Sequence, residues 1–109
     1  MNIKQLYETI DLRKVNQVGE DNEIEDVYIG DLLSFVMANG KEGALWLTVQ
    51  RHMNVIAVAQ LNDFSGIVFV EDVDPDEDTI EKATELDIPL FISEDDAFTL
   101  SRKLIEAGL

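Results

Sequence analysis

The sequence predicts a three-layer α/β fold: one compact domain, residues 1–109, with a mainly parallel sheet flanked by helices. Three observations predict it. Ala44–Val49, Gly66–Val70 and Pro89–Ile92 are short continuous apolar runs, as expected of strands buried on both faces rather than one. The segments between them are long enough for helical crossovers, which parallel neighbours require. At 109 residues the chain suffices for a single core but not for two.

Each element follows from local pattern. Met1–Ile10 places Ile3, Leu6, Tyr7 and Ile10 on one helical face. Asp11–Val18 alternates loosely as a short strand, and Gly19–Glu23 is a turn. Ile24–Ile29 is β-branched and aromatic, hence a strand. Asp31 is a suitable N-cap for a helix over Leu32–Ala38, whose Leu32, Leu33, Phe35, Val36 and Met37 are expected to cover a sheet face. Asn39-Gly40 ends that helix. The first crossover helix, Met53–Phe64, is apolar nearly all round, which predicts burial on two sides, the second against another copy of the chain. The second, Asp76–Asp87, is amphipathic, with Ile80, Ala83 and Leu86 inward. Ser93–Asp96 resembles the start of a capping box, opening a last helix in which Ala97, Leu100, Leu104 and Ile105 pack. Gly108 ends it.

Composition narrows function. With 8 Lys and Arg against 23 Asp and Glu, the formal net charge is −15. Such a surface repels nucleic-acid phosphates and anionic lipid, so neither is an expected partner. No apolar run approaches a membrane span and the start lacks the regions of a signal peptide, so a cytoplasmic location is expected. The absence of Cys removes disulfides, thiol nucleophiles and thiolate metal sites. No metal or cofactor is implied. The acidic run Glu71–Asp78 alternates Asp like a calcium loop, but no Gly stands at the sixth position. It reads better as a solvated loop whose acids favour the next helix N-terminus. The serines lie outside nucleophile elbows and no phosphate-binding loop occurs, so no enzymatic activity is expected.

One stretch could carry function. Thr48-Val49-Gln50-Arg51-His52-Met53-Asn54 leaves a buried strand and enters a helix, at the carboxyl end of the sheet, where ligands of open α/β proteins bind. Free backbone N–H groups, the helix dipole and Arg51 favour an anion there, and His52, the chain's sole histidine, can titrate near neutrality. In the competing interpretation Arg51 pairs with a carboxylate, Asn54 caps the helix and His52 is merely exposed. The ligand site expected from the sequence is Thr48, Gln50, Arg51, His52 and Asn54, with Asp31 and Ser93 at neighbouring helix starts.

Tyr28-Ile29-Gly30-Asp31-Leu32-Leu33-Ser34, Gly43–Thr48, His52–Ala59, Gly66-Ile67-Val68 and Pro75–Leu90 together resemble a DRTGG domain, over roughly Ile24 to Leu109. Such domains are similar to the N-terminal region of HPr kinases. They also occur within some phosphate acetyltransferases, between the CBS domains of some inorganic pyrophosphatases, and as small stand-alone proteins. The resemblance implies a non-catalytic α/β regulatory or ligand-sensing module, often dimeric. The motif itself is changed: its Asp-Arg falls on Gln50-Arg51 and its Thr-Gly-Gly on Val70-Glu71-Asp72. Acids in place of two glycines make a neutral or cationic ligand, or a protein surface, as fitting as a phosphate. The alternative is a scaffold that binds a basic partner through its apolar helix and acidic face.

Overall fold

A computed structural model describes residues Met1–Leu109. Five strands form one sheet in the order β1-β5-β4-β3-β2, where β1 is Arg13–Lys14, β2 Asp26–Ile29, β3 Ala44–Thr48, β4 Gly66–Phe69 and β5 Leu90–Ile92. The β2–β3, β3–β4 and β4–β5 pairs are parallel, and β1 alone runs antiparallel, with Arg13 opposite Ile92. Apolar side chains alternate between two cores, as the strand period of two dictates. Trp46, Ile67, Phe69, Leu90 and Ile92 face helices α2 (Leu33–Asn39), α3 (Asn54–Leu61) and α4 (Glu77–Glu85). Leu45, Leu47, Val68 and Phe91 face α1 (Ile3–Thr9) and α5 (Ala97–Glu106). The expected three-layer α/β domain is therefore present, and all of β3, β4 and β5 is buried.

Local chemistry explains the element ends. Asn2 caps α1 in a capping box: its side chain accepts from Gln5 N–H, and Gln5 reaches back to Asn2 N–H, both at 2.9 Å. Asp96 caps α5 by accepting from Thr99 N–H at 2.8 Å. That hydrogen bond holds the Asp96 carboxyl below its usual pKa. At Gly40 the chain leaves α2 in extended backbone, and only glycine fits there because a Cβ would lie 2.3 Å from the Phe64 ring, itself packed edge-on against Trp46. Between β1 and β2 the chain crosses the amino ends of the strands. Asn16 and Asn22 tie it down, through Leu90 N–H, Ile88 C=O and Ser65 C=O. No helix is long and apolar enough to cross a membrane.

Three expectations about helices need correction. Leu32, not Asp31, is the N-cap of α2, and it makes no side-chain capping bond. Of the residues expected to cover the sheet from α2, only Val36 is buried and Leu33 half-buried; Leu32, Phe35 and Met37 are exposed. A helix of seven residues at the sheet edge has room to turn only one narrow face inward. In α5, Ile105 is likewise exposed. The apolar character of α3 has an internal explanation, because Val55, Ile56, Val58 and Ala59 are buried in the core that α3 shares with α2 and α4.

Candidate functional site

The crossovers from β2 to β5 all lay their helices on one face, so the loops leaving β2, β3 and β4 turn the same way and close over one another. Two carboxylates do the closing. Asp31 Oδ1 accepts from Thr48 Oγ1 at 2.8 Å and from Val49 N–H at 2.9 Å. Gln50 Nε2 donates to Asp31 C=O at 2.8 Å, and Gln50 N–H donates to Thr48 Oγ1 at 3.1 Å. These bonds tie the β2–α2 loop to the β3–α3 loop.

Asp76, at the start of α4, does the same one strand further on. Its Oδ1 lies 3.2 Å from Arg51 Nε and its Oδ2 2.7 Å from His52 Nδ1. An ionised carboxylate only accepts, so the proton of the latter bond sits on Nδ1. The His52 hydrogen bond, aided by that from Arg51 and by both neighbouring charges, outweighs desolvation and holds the Asp76 carboxyl below its usual pKa. The Arg51 carbonyl completes the tie, accepting from Asp76 N–H at 3.1 Å and Thr79 Oγ1 at 2.9 Å.

The seven residues expected from the sequence therefore fall into separate groups. Asp31, Thr48 and Gln50 form one network, and Arg51 and His52 form a second through Asp76, a partner the sequence reading missed. Asn54 is the first residue of α3 and exposed; Met53 rather than Asn54 occupies the cap position. Ser93 stands apart on β5, buried, with its Oγ accepting from Asp95 N–H at 3.1 Å and its C=O from Asp72 N–H at 2.8 Å. Arg51 pairs with a carboxylate, as the competing interpretation required, so part of its charge at this turn is already met. None of its residues lines any of the three principal cavities.

The winding changes at β5. Helix α5 packs on the opposite face from α4, so beyond the hydrogen bonds that join their first residues the β4–α4 and β5–α5 loops leave toward opposite faces, and in open sheets a crevice forms where adjacent loops diverge. A cavity of about 200 Å³ lies beside it, toward the β1 edge, lined by Asp11 and Arg13, by Ile92 through Asp95, by Lys103, and by Asp72 from the β4–α4 loop. Lys103 Nζ is 2.6 Å from Asp95 Oδ2, and Arg13 is 3.0 Å from Asp74 Oδ1. The walls thus present both signs of charge. On the β4 side, Glu71 and Asp72 adopt left-handed backbone, with φ of 57° and 59°, a conformation suited to glycine. Their N–H groups donate to Asp95 C=O and Ser93 C=O at 2.8 Å, which is why the conformation persists. The face on which α5 packs is a tertiary choice that amphipathic spacing does not specify, so only Ser93 marked this crevice in the sequence.

The widest cleft is at the other end of the sheet, about 850 Å³, where α3 and α4 end. Glu23, Glu25, Glu42, Asp63 and Asp87 line it, with no Lys or Arg. Ser65, 3% exposed, lines the same cleft, and its Oγ has no hydrogen-bond partner. Comparison with known proteins adds no assignment: no family model matches the chain, and no curated protein matches it.

Proposed function

We propose that the protein is a non-catalytic regulatory module that senses a small polar ligand in the cavity at the carboxyl edge where β1, β5 and the start of the β4–α4 loop meet. The observation that carries this reading is the change of winding at β5, which opens the carboxyl edge at Ser93. Arg13 and Lys103 beside Asp11, Asp72, Glu94 and Asp95 suit a compact polar ligand with at least one cationic group, and about 200 Å³ keeps it small. The left-handed Glu71 and Asp72 sit where the motif's two glycines fall, which supports the resemblance to the DRTGG domains. A thermal-shift screen of amino acids, small amines and acyl phosphates tests the reading. A stabilising ligand is expected, its effect lost in Lys103→Ala and kept in Arg51→Ala. Loss in Arg51→Ala alone, or no stabilising compound at all, would sink it.

The acidic cleft at the amino ends favours a second reading, a scaffold that holds a basic protein segment. In that case a Lys-rich peptide binds at low salt, and Glu25→Lys with Glu42→Lys removes the binding. Failure of the peptide to bind at low ionic strength rejects this alternative.

A further inference from the structure

The cleft at the amino ends of the strands holds more than a cluster of acids. Glu23 pairs with the chain's own amino terminus at 3.1 Å, but Glu25, Glu42, Asp63 and Asp87 belong to no ion pair. Helices α3 and α4 both end there, so the negative ends of two helix dipoles add to the same field. Asp63 and Asp87 each follow the helix cap, in left-handed backbone with φ of 52° and 58°. That place suits glycine or asparagine, and a carboxylate in it repels the dipole. Ser65 supplies an observation independent of these charges. The strand period of two turns it away from the face where the neighbouring Gly66 meets Ile3, and onto the face between α3 and α4. Its main chain is satisfied, with N–H donating to Ala44 C=O at 2.9 Å and C=O accepting from Asn22 Nδ2 at 3.1 Å. Its Oγ, on a residue 3% exposed at the wall of the cleft, bonds to nothing. A buried hydroxyl without a partner is costly, and a donor that enters the cleft relieves that cost.

We propose that this cleft is a second ligand site, one that takes a linear polyammonium cation: one ammonium group donates to Ser65 Oγ and the others lie among the carboxylates of the rim. The carboxylates do not gather in threes close enough to hold a single metal ion, so charges spaced along a chain match them better than one point charge. Ala59, Phe64, Leu86 and Ile88 supply apolar wall for the methylenes between those charges. A volume of about 850 Å³ is that of a small-molecule site. A basic protein segment meets the same exposed rim, and Ser65 decides between the two. A free ammonium on a thin chain reaches a buried hydroxyl without carrying a polypeptide backbone in with it. The site lies at the opposite end of the sheet from the carboxyl-edge cavity and does not rest on ligand sensing there.

Isothermal titration calorimetry of the full chain with spermidine at low salt tests it, with magnesium chloride and a Lys-rich peptide titrated alongside. Saturable binding of spermidine is expected, tighter than that of either competitor. Ser65→Ala should weaken it about tenfold, as loss of a hydrogen bond from a charged donor does, while the Tm of the free protein holds or rises because an unmet buried hydroxyl has gone. Asp63→Asn with Asp87→Asn should likewise weaken binding and raise the Tm of the free protein, a trade that a purely structural role for these acids does not give. Glu8→Gln with Glu106→Gln makes the same change in net charge outside the cleft and should leave the dissociation constant within about twofold. Lys103→Ala should leave it unchanged, which separates this site from the carboxyl-edge cavity. Absence of spermidine binding, equal weakening by the Glu8 and Glu106 pair, tighter binding of magnesium or of the peptide, or no effect of Ser65→Ala overturns the proposal. If the Asp63 and Asp87 double variant fails to fold, as judged by circular dichroism, Ser65→Ala and the Glu8 and Glu106 pair still decide it.

Discussion

Replacing Asp31 distinguishes a helix cap from a tie between loops. In Asp31→Ala two acceptor bonds disappear together, from Thr48 Oγ1 and Val49 N–H. Thr48 is 1% exposed, so its hydroxyl cannot turn to water, whereas Val49 is 37% exposed and its N–H rehydrates. The loss is therefore dominated by the one buried group and should be about 2 kcal/mol. For a domain of this size that lowers Tm by about 8–10 °C. Urea unfolding followed by circular dichroism gives the free energy, and calorimetry gives Tm. Asp31→Ser is the decisive variant. Serine caps a helix as well as aspartate does, but its hydroxyl is too short to span both donors, so the variant should be nearly as unstable as Asp31→Ala. In a cycle with Thr48→Val, the two substitutions should fall short of additive by about 1–2 kcal/mol. Recovery of wild-type stability by Asp31→Ser, or strict additivity with Thr48→Val, would refute the argument.

The remaining predictions concern the other two loops at the carboxyl edge. Asp76 has a lowered pKa in the folded protein, so its contribution is present above the ordinary carboxylate pKa and is lost as pH falls through the lower, folded value. The Tm difference between wild type and Asp76→Asn should accordingly shrink as pH drops below about 4; a difference that persists unchanged at about pH 2 contradicts this. At Glu71 a left-handed backbone strains a side chain that glycine would not carry. Glu71→Gly should thus be neutral to stabilising by up to about 1 kcal/mol, after allowing for the extra freedom of glycine in the unfolded chain. Glu71→Val, whose branched side chain tolerates that conformation worst, should lower Tm in the same scan.

How far the molecule could be read from its residues depended on the range of the interaction. The strands Ala44–Thr48, Gly66–Phe69 and Leu90–Ile92 were legible because burial on both faces demands continuous apolar residues, a purely local signal. The Asn2–Gln5 capping box is equally local, although the reading passed over it. Asp31 misled because a cap and a cross-loop acceptor use the same residue type; Thr48 and Val49, which decide between them, come from the next strand. Asp76 was taken as one acid of a solvated run, and it is. Nothing in the run shows that Arg51 and His52, on the preceding crossover, close on that member rather than on Asp74 or Asp78. The exposed face of α2 was illegible for another reason: apolar composition gives the amount of apolar surface, whereas the position of a short helix at the sheet edge determines how little of it is covered. The carboxyl-edge site suffered most, because its location depends on which side of the sheet α5 chooses.

The antiparallel edge strand has a consequence for the order of assembly. Arg13 and Lys14 pair only with Phe91 and Ile92, and Ile3 and Leu6 of α1 share their core with Leu100 and Leu104 of α5. The β1 strand thus has no sheet neighbour until β5 emerges, nearly eighty residues afterwards, on the order of 4–16 s at ordinary rates of synthesis. From β2 to β5 each strand can join its predecessor as it appears, while α1, held early through Asn22 and Glu23, waits for α5 to complete the cover of its apolar stripe. Closure of that face by α1, β1 and α5 together is then the last cooperative step. A nascent chain arrested before β5 should hold a folded centre with a protease-sensitive leading segment.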